Sequence, residues 1–383
     1  MRPQSVEAAV RRPTGRRVLR AVFFGALILL CAGGIFAFLV LAANHESPLR
    51  GAESAGPPQS GDEYSARAAD CVACHSIPGG KAFAGGLKMG TPLGAIYSTN
   101  ITPDPETGIG QYSLADFDLA LRQGIAKDGH RLYPAMPYPS YAKLSDADVV
   151  ALYRFFMKQV PPVNQANLKS EIPAGLSVRW PLAFWNFFFA PSGAYVAKPE
   201  HDAAWNRGAY LVQGPGHCGA CHTPRGIGMQ EKALDDSNAN YLAGTELDAW
   251  YASSLRGDMR TGLGTWSKQD IGEFLKHGHN RVGTAFGSMI EVVNNSTSYL
   301  SDSDIDAIAS YLKSLPATST ERPVAYDNAT TVQLNGPSAQ PGGNVYASAC
   351  ASCHGFDAKG FTPYMPTLAG NPVVLDDNPS SLI

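Results

Sequence analysis

Net charge is nearly absent from this chain: 30 Lys and Arg stand against 33 Asp and Glu, leaving −3 over 383 residues. That balance removes the basic footprint a nucleic-acid partner requires. No glycine-rich phosphate loop follows a strand pattern, so nucleotide-cradling folds lack their motif. Strand patterns are sparse altogether, and with them goes the βαβ setting of a thioredoxin-like dithiol. No Ser-His-Asp set and no paired carboxylates stand out, which leaves the common hydrolytic sites without candidates. Cysteine is scarce, with seven in the whole chain. Six of those seven fall into three identically spaced pentapeptides. Glycine and proline, by contrast, are abundant at 39 and 28, so long loops around short helices are expected.

The pentapeptides are Cys71-x-x-Cys74-His75, Cys218-x-x-Cys221-His222 and Cys350-x-x-Cys353-His354. On one helical turn, positions i, i+3 and i+4 share a face. Two thiols on that face reach the two vinyl groups of one porphyrin while the imidazole reaches the iron. This is the attachment pattern of c-type haem. A zinc half-site would need a second Cys or His pair nearby, and each pentapeptide is followed by a long stretch without one. Three covalent haem c sites are therefore expected.

The seventh cysteine, Cys31, lies within residues 21–43, a run with no charge and no proline. A spanning helix needs about 20 apolar residues. Arg11, Arg12, Arg16, Arg17 and Arg20 precede the run, and only Glu46 and Arg50 follow closely. The positive-inside rule puts the N-terminus in the cytoplasm and the remainder outside. A cleaved signal peptide is the competing reading, but its apolar region is usually about 7–15 residues. The longer run favours an uncleaved anchor. Either way the chain is exported, in keeping with c-type attachment outside the cytoplasmic membrane.

The chain also repeats itself. Thr107-Gly-Ile-Gly110 corresponds to Thr261-Gly-Leu-Gly264, followed by Tyr112-Ser113 and Trp266-Ser267. Each copy then opens a short amphipathic helix, LADFDLALRQG or KQDIGEFLKHG. Ser145 and Ser301 begin a second matched pair of helices, each with an acid three residues on in a variant of the capping box. Apolar residues follow at helical spacing: Val149, Leu152, Tyr153, Phe156 and Val160 in one, Ile305, Ile308, Leu312 and Leu315 in the other. Pro161 and Pro316 close them. A glycine and then a tyrosine precede each haem site: Gly61 and Tyr64, Gly208 and Tyr210, Gly343 and Tyr346. The expected fold is mainly α, with tandem class I cytochrome c-like domains behind one N-terminal transmembrane helix. The expected divisions are a cytoplasmic basic segment 1–20, anchor 21–43, linker 44–60, haem domain 61–162, aromatic-rich interdomain segment 163–200, haem domain 201–317, linker 318–340 and an incomplete haem domain 341–383.

The sixth iron ligand must lie between each haem turn and the last helix. Methionine leads, because Met/His ligation is the usual cytochrome c pairing. Met136, in Tyr133-Pro-Ala-Met136-Pro137, is held by flanking prolines, and Met289 occupies the matching place in the second copy. The proximal ligands are His75, His222 and His354. His130, His217, His277 and His279 are alternative sixth ligands. The third site lacks a capped final helix, and few residues follow His354. Met365 is the remaining candidate there, and a ligand beyond Ile383 is the favoured expectation. The segment Arg179–Phe189 is unusually aromatic and suits a membrane-interface or partner-docking patch. A linker packed on its own domains is the plainer alternative.

From residue 60 onward the chain resembles the cytochrome c subunits of bacterial membrane-bound dehydrogenases, the triheme partners of quinoprotein alcohol dehydrogenase and of flavin-dependent gluconate and sorbitol dehydrogenases. The match is carried by Thr91–Gly94 and Tyr97–Asp104, by Tyr133–Tyr138, by Gly214–Arg225 and by Leu368–Pro372. The resemblance implies His75/Met136 and His222/Met289 as axial pairs. It implies a large dehydrogenase subunit carrying PQQ or FAD, electron delivery to ubiquinone, and a place on the periplasmic face of the bacterial inner membrane. It implies no catalysis by this chain alone. A cytochrome subunit of a respiratory terminal oxidase is the alternative, against which the third haem site and the long insert argue. A multihaem peroxidase would need an open iron position, which Met136 and Met289 close.

Overall fold

The computed structural model describes residues 15–43, 45–51, 56–247, 249–324, 341–361 and 364–382. Two compact units divide the chain, Met1–His45 and Glu46–Ile383. The first holds one helix, α1 (Gly15–Leu41), of 27 residues. Val22, Phe23, Leu29, Leu30 and Phe38 are exposed on it. Among the described residues no helix is long and apolar enough to cross a membrane, so the span expected over 21–43 is not established by the structure. Most of the basic segment before it, 1–14, lies outside the described residues.

In the second unit the first haem module runs through α2 (Asp62–Ala68), α3 (Cys71–His75), the hairpin β1 (Lys88–Thr91) and β2 (Gly94–Tyr97), α4 (Leu114–Gln123), α5 (Tyr138–Tyr141) and α6 (Asp146–Lys158). The short helix α7 (Leu182–Phe189) follows. The second module repeats the plan with α8 (Ala203–Gln213), α9 (Gly219–His222), the hairpin β3 (Thr245–Leu247) and β4 (Trp250–Ala252), α10 (Lys268–His277), α11 (Ser288–Asn295) and α12 (Asp302–Ser314). The third region holds α13 (Pro341–Ala349), α14 (Ala351–His354) and α15 (Pro372–Leu375).

The caps expected at Ser145 and Ser301 are present, accepting the N–H groups of Asp148 and Asp304. Ser113 and Ser267 add full capping boxes, with Asp116 and Asp270 respectively. Such caps are worth about 1 kcal/mol each. The repeated Gly-x-Gly is explained by backbone proximity. A Cβ on Gly110 would lie 2.4 Å from the Pro103 carbonyl oxygen, and one on Gly264 would lie 2.6 Å from that of Gly257.

In each module the first helix packs on the last, α2 on α6 and α8 on α12. Leu121, Leu144, Leu152 and Phe156 fill the first core, and Val212, Ile271, Ile308 and Leu312 the second. Each such side chain contributes about 1.5–3 kcal/mol when fully buried. An ion pair pins each crossing. Asp62, fully buried, takes a fork from Arg154 at 2.6–3.1 Å, and Arg207 forks Asp304 at 2.8 and 2.9 Å. The glycines before the two haem sites are not equivalent. Gly61 meets nothing, whereas a Cβ on Gly208 would sit 2.0 Å from the Ala307 carbonyl oxygen.

The two modules are joined by a reciprocal exchange. The Tyr64 hydroxyl of the first module donates to Asp304 at 2.6 Å and accepts the Ser301 N–H at 3.1 Å. The Tyr210 hydroxyl of the second module donates to Asp148 and accepts the Ser145 N–H at 3.2 Å. Each module's first-helix tyrosine thus completes the N-terminus of the other's last helix. Tyr346 behaves differently and bonds the Gly355 carbonyl of its own region at 2.6 Å.

The segment 163–200 begins as a strap on the first module. Asn100 donates to the Val163 carbonyl at 2.7 Å, and Asn167 accepts the Asn100 N–H at 2.6 Å. Further on, the inner face of α7 is packed. Ala183 is buried, the Trp185 indole donates to Gly228 O at 2.8 Å, and Asn186 accepts the Tyr138 hydroxyl at 2.7 Å. Trp180, Phe187 and Phe188 remain about 60% exposed. The third region rests on the second module by polar contacts: Asn371 to Val282 O, Asn378 to Glu246, and Ser381 to both backbone groups of Tyr251. Residues 325–340 of the expected linker lie outside the described residues.

Candidate haem-attachment sites

All three pentapeptides form single helical turns, which places both thiols and the imidazole on one side as their spacing requires. Cys71 begins α3, while Cys218 and Cys350 cap α9 and α14. The histidines share one arrangement. His75 Nδ1 bonds the Thr99 carbonyl at 2.7 Å, His222 Nδ1 the Ser253 carbonyl at 2.7 Å, and His354 Nδ1 the Pro366 carbonyl at 2.9 Å. A carbonyl only accepts, so Nδ1 carries the proton and Nε2 presents its lone pair. This is how a metal-ligating histidine is oriented and made more basic from behind. Desolvation lowers the pKa of His75 and His222 against the opposing pull of these bonds, a shift toward the neutral form that ligation requires.

Local structure sets each acceptor. The hairpins β1–β2 and β3–β4 end just before Thr99 and Ser253. The histidine's own carbonyl is fixed as well, by the N–H of Gly85, Gly244 or Gly360. All three glycines have positive φ, at 74, 86 and 67°, a conformation glycine adopts without steric cost. Three of the cysteines are poor thiolates: burial, with nearby negative groups, pushes Cys71 and Cys218 up to about 12 and Cys74 up to about 11. That removes the low-pKa thiolate of a redox dithiol or catalytic nucleophile. Among the described residues no three His, Cys, Asp or Glu side chains converge as metal ligands, so the paired thiols find no zinc-type partners. The turns fit covalent haem.

Met136 is half-buried and packs against the cluster that contains Cys71. Met289 is half-buried in the first turn of α11, a helix the sequence did not announce. Both follow their carbonyl residue at nearly the same separation, Thr99 to Met136 and Ser253 to Met289. Met365 stands differently. It immediately precedes Pro366, whose carbonyl lies behind the His354 ring. Of the alternative histidines, His130 is exposed beside Asp128, His277 and His279 lie ring against ring, and His217 packs on Tyr141. The carbonyl acceptors were missed from sequence because a backbone oxygen has no side-chain signature. The recurring glycine after each turn was the available signal.

A cytochrome c family model matches residues 206–316. The chain is 53% identical to the gluconate 2-dehydrogenase cytochrome c subunit of Pantoea cypripedii, over 84% of this chain and 74% of that protein. It is 51% identical to the cytochrome c subunit of the quinone alcohol dehydrogenase of Gluconobacter oxydans (strain 621H), over 84% and 68%. It is 40% identical to the fructose dehydrogenase cytochrome subunit of Gluconobacter japonicus, over 85% and 70%.

Proposed function

This chain belongs to the family of dehydrogenase cytochrome c subunits, and from that premise we propose that it passes electrons from a partner CH–OH dehydrogenase to ubiquinone in the bacterial cytoplasmic membrane. The large partner subunit carries PQQ or FAD and performs the substrate chemistry. The observation that carries this reading is the histidine turn, built three times with its Nδ1 held on a backbone carbonyl.

Bound haem c supplies a reversible one-electron carrier. The chain's residues do the rest. Cys71/Cys74, Cys218/Cys221 and Cys350/Cys353 would tether the three groups, and His75, His222 and His354 would offer Nε2 to the iron. Met136 and Met289 would offer thioether sulfur, a ligand that raises the potential over that of a second histidine. Residues 21–43, uncharged and helical as far as Leu41, anchor the chain, and the arginines before them keep the haem modules on the periplasmic side.

Purification from native membranes through a tag on this chain tests the reading. A quinoprotein or flavoprotein dehydrogenase should accompany it, and the complex should reduce ubiquinone when given the dehydrogenase's substrate. Recovery with a copper–haem oxidase instead would overturn it.

A further inference from the structure

The reciprocal packing of the first two modules extends to their haem turns. The residue before the first cysteine is left-handed in both, Asp70 at φ 48° and His217 at φ 36°. The His217 ring meets Tyr141 edge to face, with centroids 5.5 Å apart and planes at 87°. Tyr141 ends α5, shortly after Met136, and its hydroxyl donates to the Ala69 carbonyl at 2.8 Å. Ala69 lies two residues before Cys71, and His217 is bonded directly to Cys218. Covalent bonds, one hydrogen bond and one ring contact therefore connect the two attachment turns.

In the other half of the interface α11, which carries Met289, packs against α3. In the third region the Tyr346 hydroxyl donates to the Gly355 carbonyl, while Asn371 and Ser381 bond Val282 and Tyr251 of the second module.

We propose that the first two haems exchange electrons directly across the packed attachment turns, with the His217–Tyr141 contact as the bridge and His217 as the positioning residue. The inference rests on haem c being bound at both sites. In each exchange one electron leaves a ferrous iron and reduces the ferric iron of the other module, and no proton or bond is transferred. Burial holds the His217 pKa down at about 4, so the ring is neutral in the working range and adds no charge between the haems.

The test uses the full-length matured chain in detergent, with His217→Asn, a residue that tolerates the left-handed backbone. Exchange between haem-methyl proton signals in partly reduced samples reports intramolecular transfer. Haem content and midpoint potentials should match the parent, while exchange between the first two haems slows by roughly an order of magnitude and exchange with the third is unchanged. Parent-like exchange with haem intact would overturn the bridge. If His217→Asn does not mature, pulsed dipolar EPR of the oxidised parent decides: one strongly coupled iron pair with a third iron apart supports the proposal, and three comparably weak couplings overturn it. A parent lacking haem at either of the first two sites by mass spectrometry would overturn the haem assignment instead, a distinguishable result.

Discussion

Removing the hydroxyl of Tyr210 should loosen the pairing of the first two haem modules without touching either core. The hydroxyl donates to the Asp148 carboxylate and accepts the Ser145 N–H. A hydrogen bond to a charged group contributes about 1.5–3 kcal/mol. Asp148 keeps the Ser145 and Ser65 hydroxyls at 2.7 and 3.1 Å, so its charge stays partnered and the cost of Tyr210→Phe falls near the lower bound, about 1.5 kcal/mol. Tyr64→Phe should cost less, about 1 kcal/mol, because the Arg207 fork remains on Asp304 and the site is half-exposed. At roughly 2–4 °C per kcal/mol, Tyr210→Phe should lower the melting temperature of the haem-loaded chain by about 3–6 °C, with the haem Soret band as probe. The double variant should lose about the sum while the modules still unfold together, and should split into two transitions once they do not. Tyr346→Phe is the control, since its bond stays inside the third region. If Tyr210→Phe and Tyr64→Phe both melt like the parent, the reciprocal caps do not hold the modules together.

Met136→His and Met289→His should each lower the midpoint potential of one haem, since methionine raises it. Met365→Ala should leave the potentials of the first two haems unchanged in a potentiometric titration, because Met365 sits beside Pro366, the residue that holds His354 of the third turn. Gly208→Ala should destabilise the second module by about 1–3 kcal/mol or more, as its new Cβ meets the Ala307 backbone and not a movable side chain; urea unfolding reads the loss. Glu231 is buried with an unpartnered oxygen, and burial raises its pKa to about 7 from 4.5 against the charges of Arg225 and Lys143. The folded chain therefore binds the extra proton between those values, and stability contributed by this group falls as pH rises through that window, by at most about 3 kcal/mol. Glu231→Gln should remove this slope, seen as urea midpoints that differ less between about pH 5 and about pH 8 than the parent's.

The repeat carried most of the fold in the sequence. Capping serines at 113, 145, 267 and 301 mark helix starts by local chemistry, and local chemistry survives folding unchanged. The haem turns were equally legible because their geometry is contained in five residues. Three features were not. The acceptors Thr99, Ser253 and Pro366 act through backbone oxygens, which every residue owns. The helix α11 holds Met289 but opens on Gly287 at φ 53°, with no capping signal. Gly61 and Gly208 look alike in the sequence and differ in the molecule because helix α8 alone crosses its partner at a glycine.

The tyrosines explain why a repeat was visible while its purpose was not. Within one module Tyr64 or Tyr210 looks like a packing residue beside a haem turn, and Asp148 or Asp304 looks like the third position of a helix cap. The pairing runs between copies, Tyr64 to Asp304 and Tyr210 to Asp148, so neither copy alone contains the interaction it encodes. Duplicated modules with a donor and an acceptor on each can satisfy both bonds at once only when they pack head to head. That packing also sets α11 of the second module against α3 of the first and the His217 ring against Tyr141. In the third copy the Tyr346 hydroxyl donates to the Gly355 carbonyl of its own region.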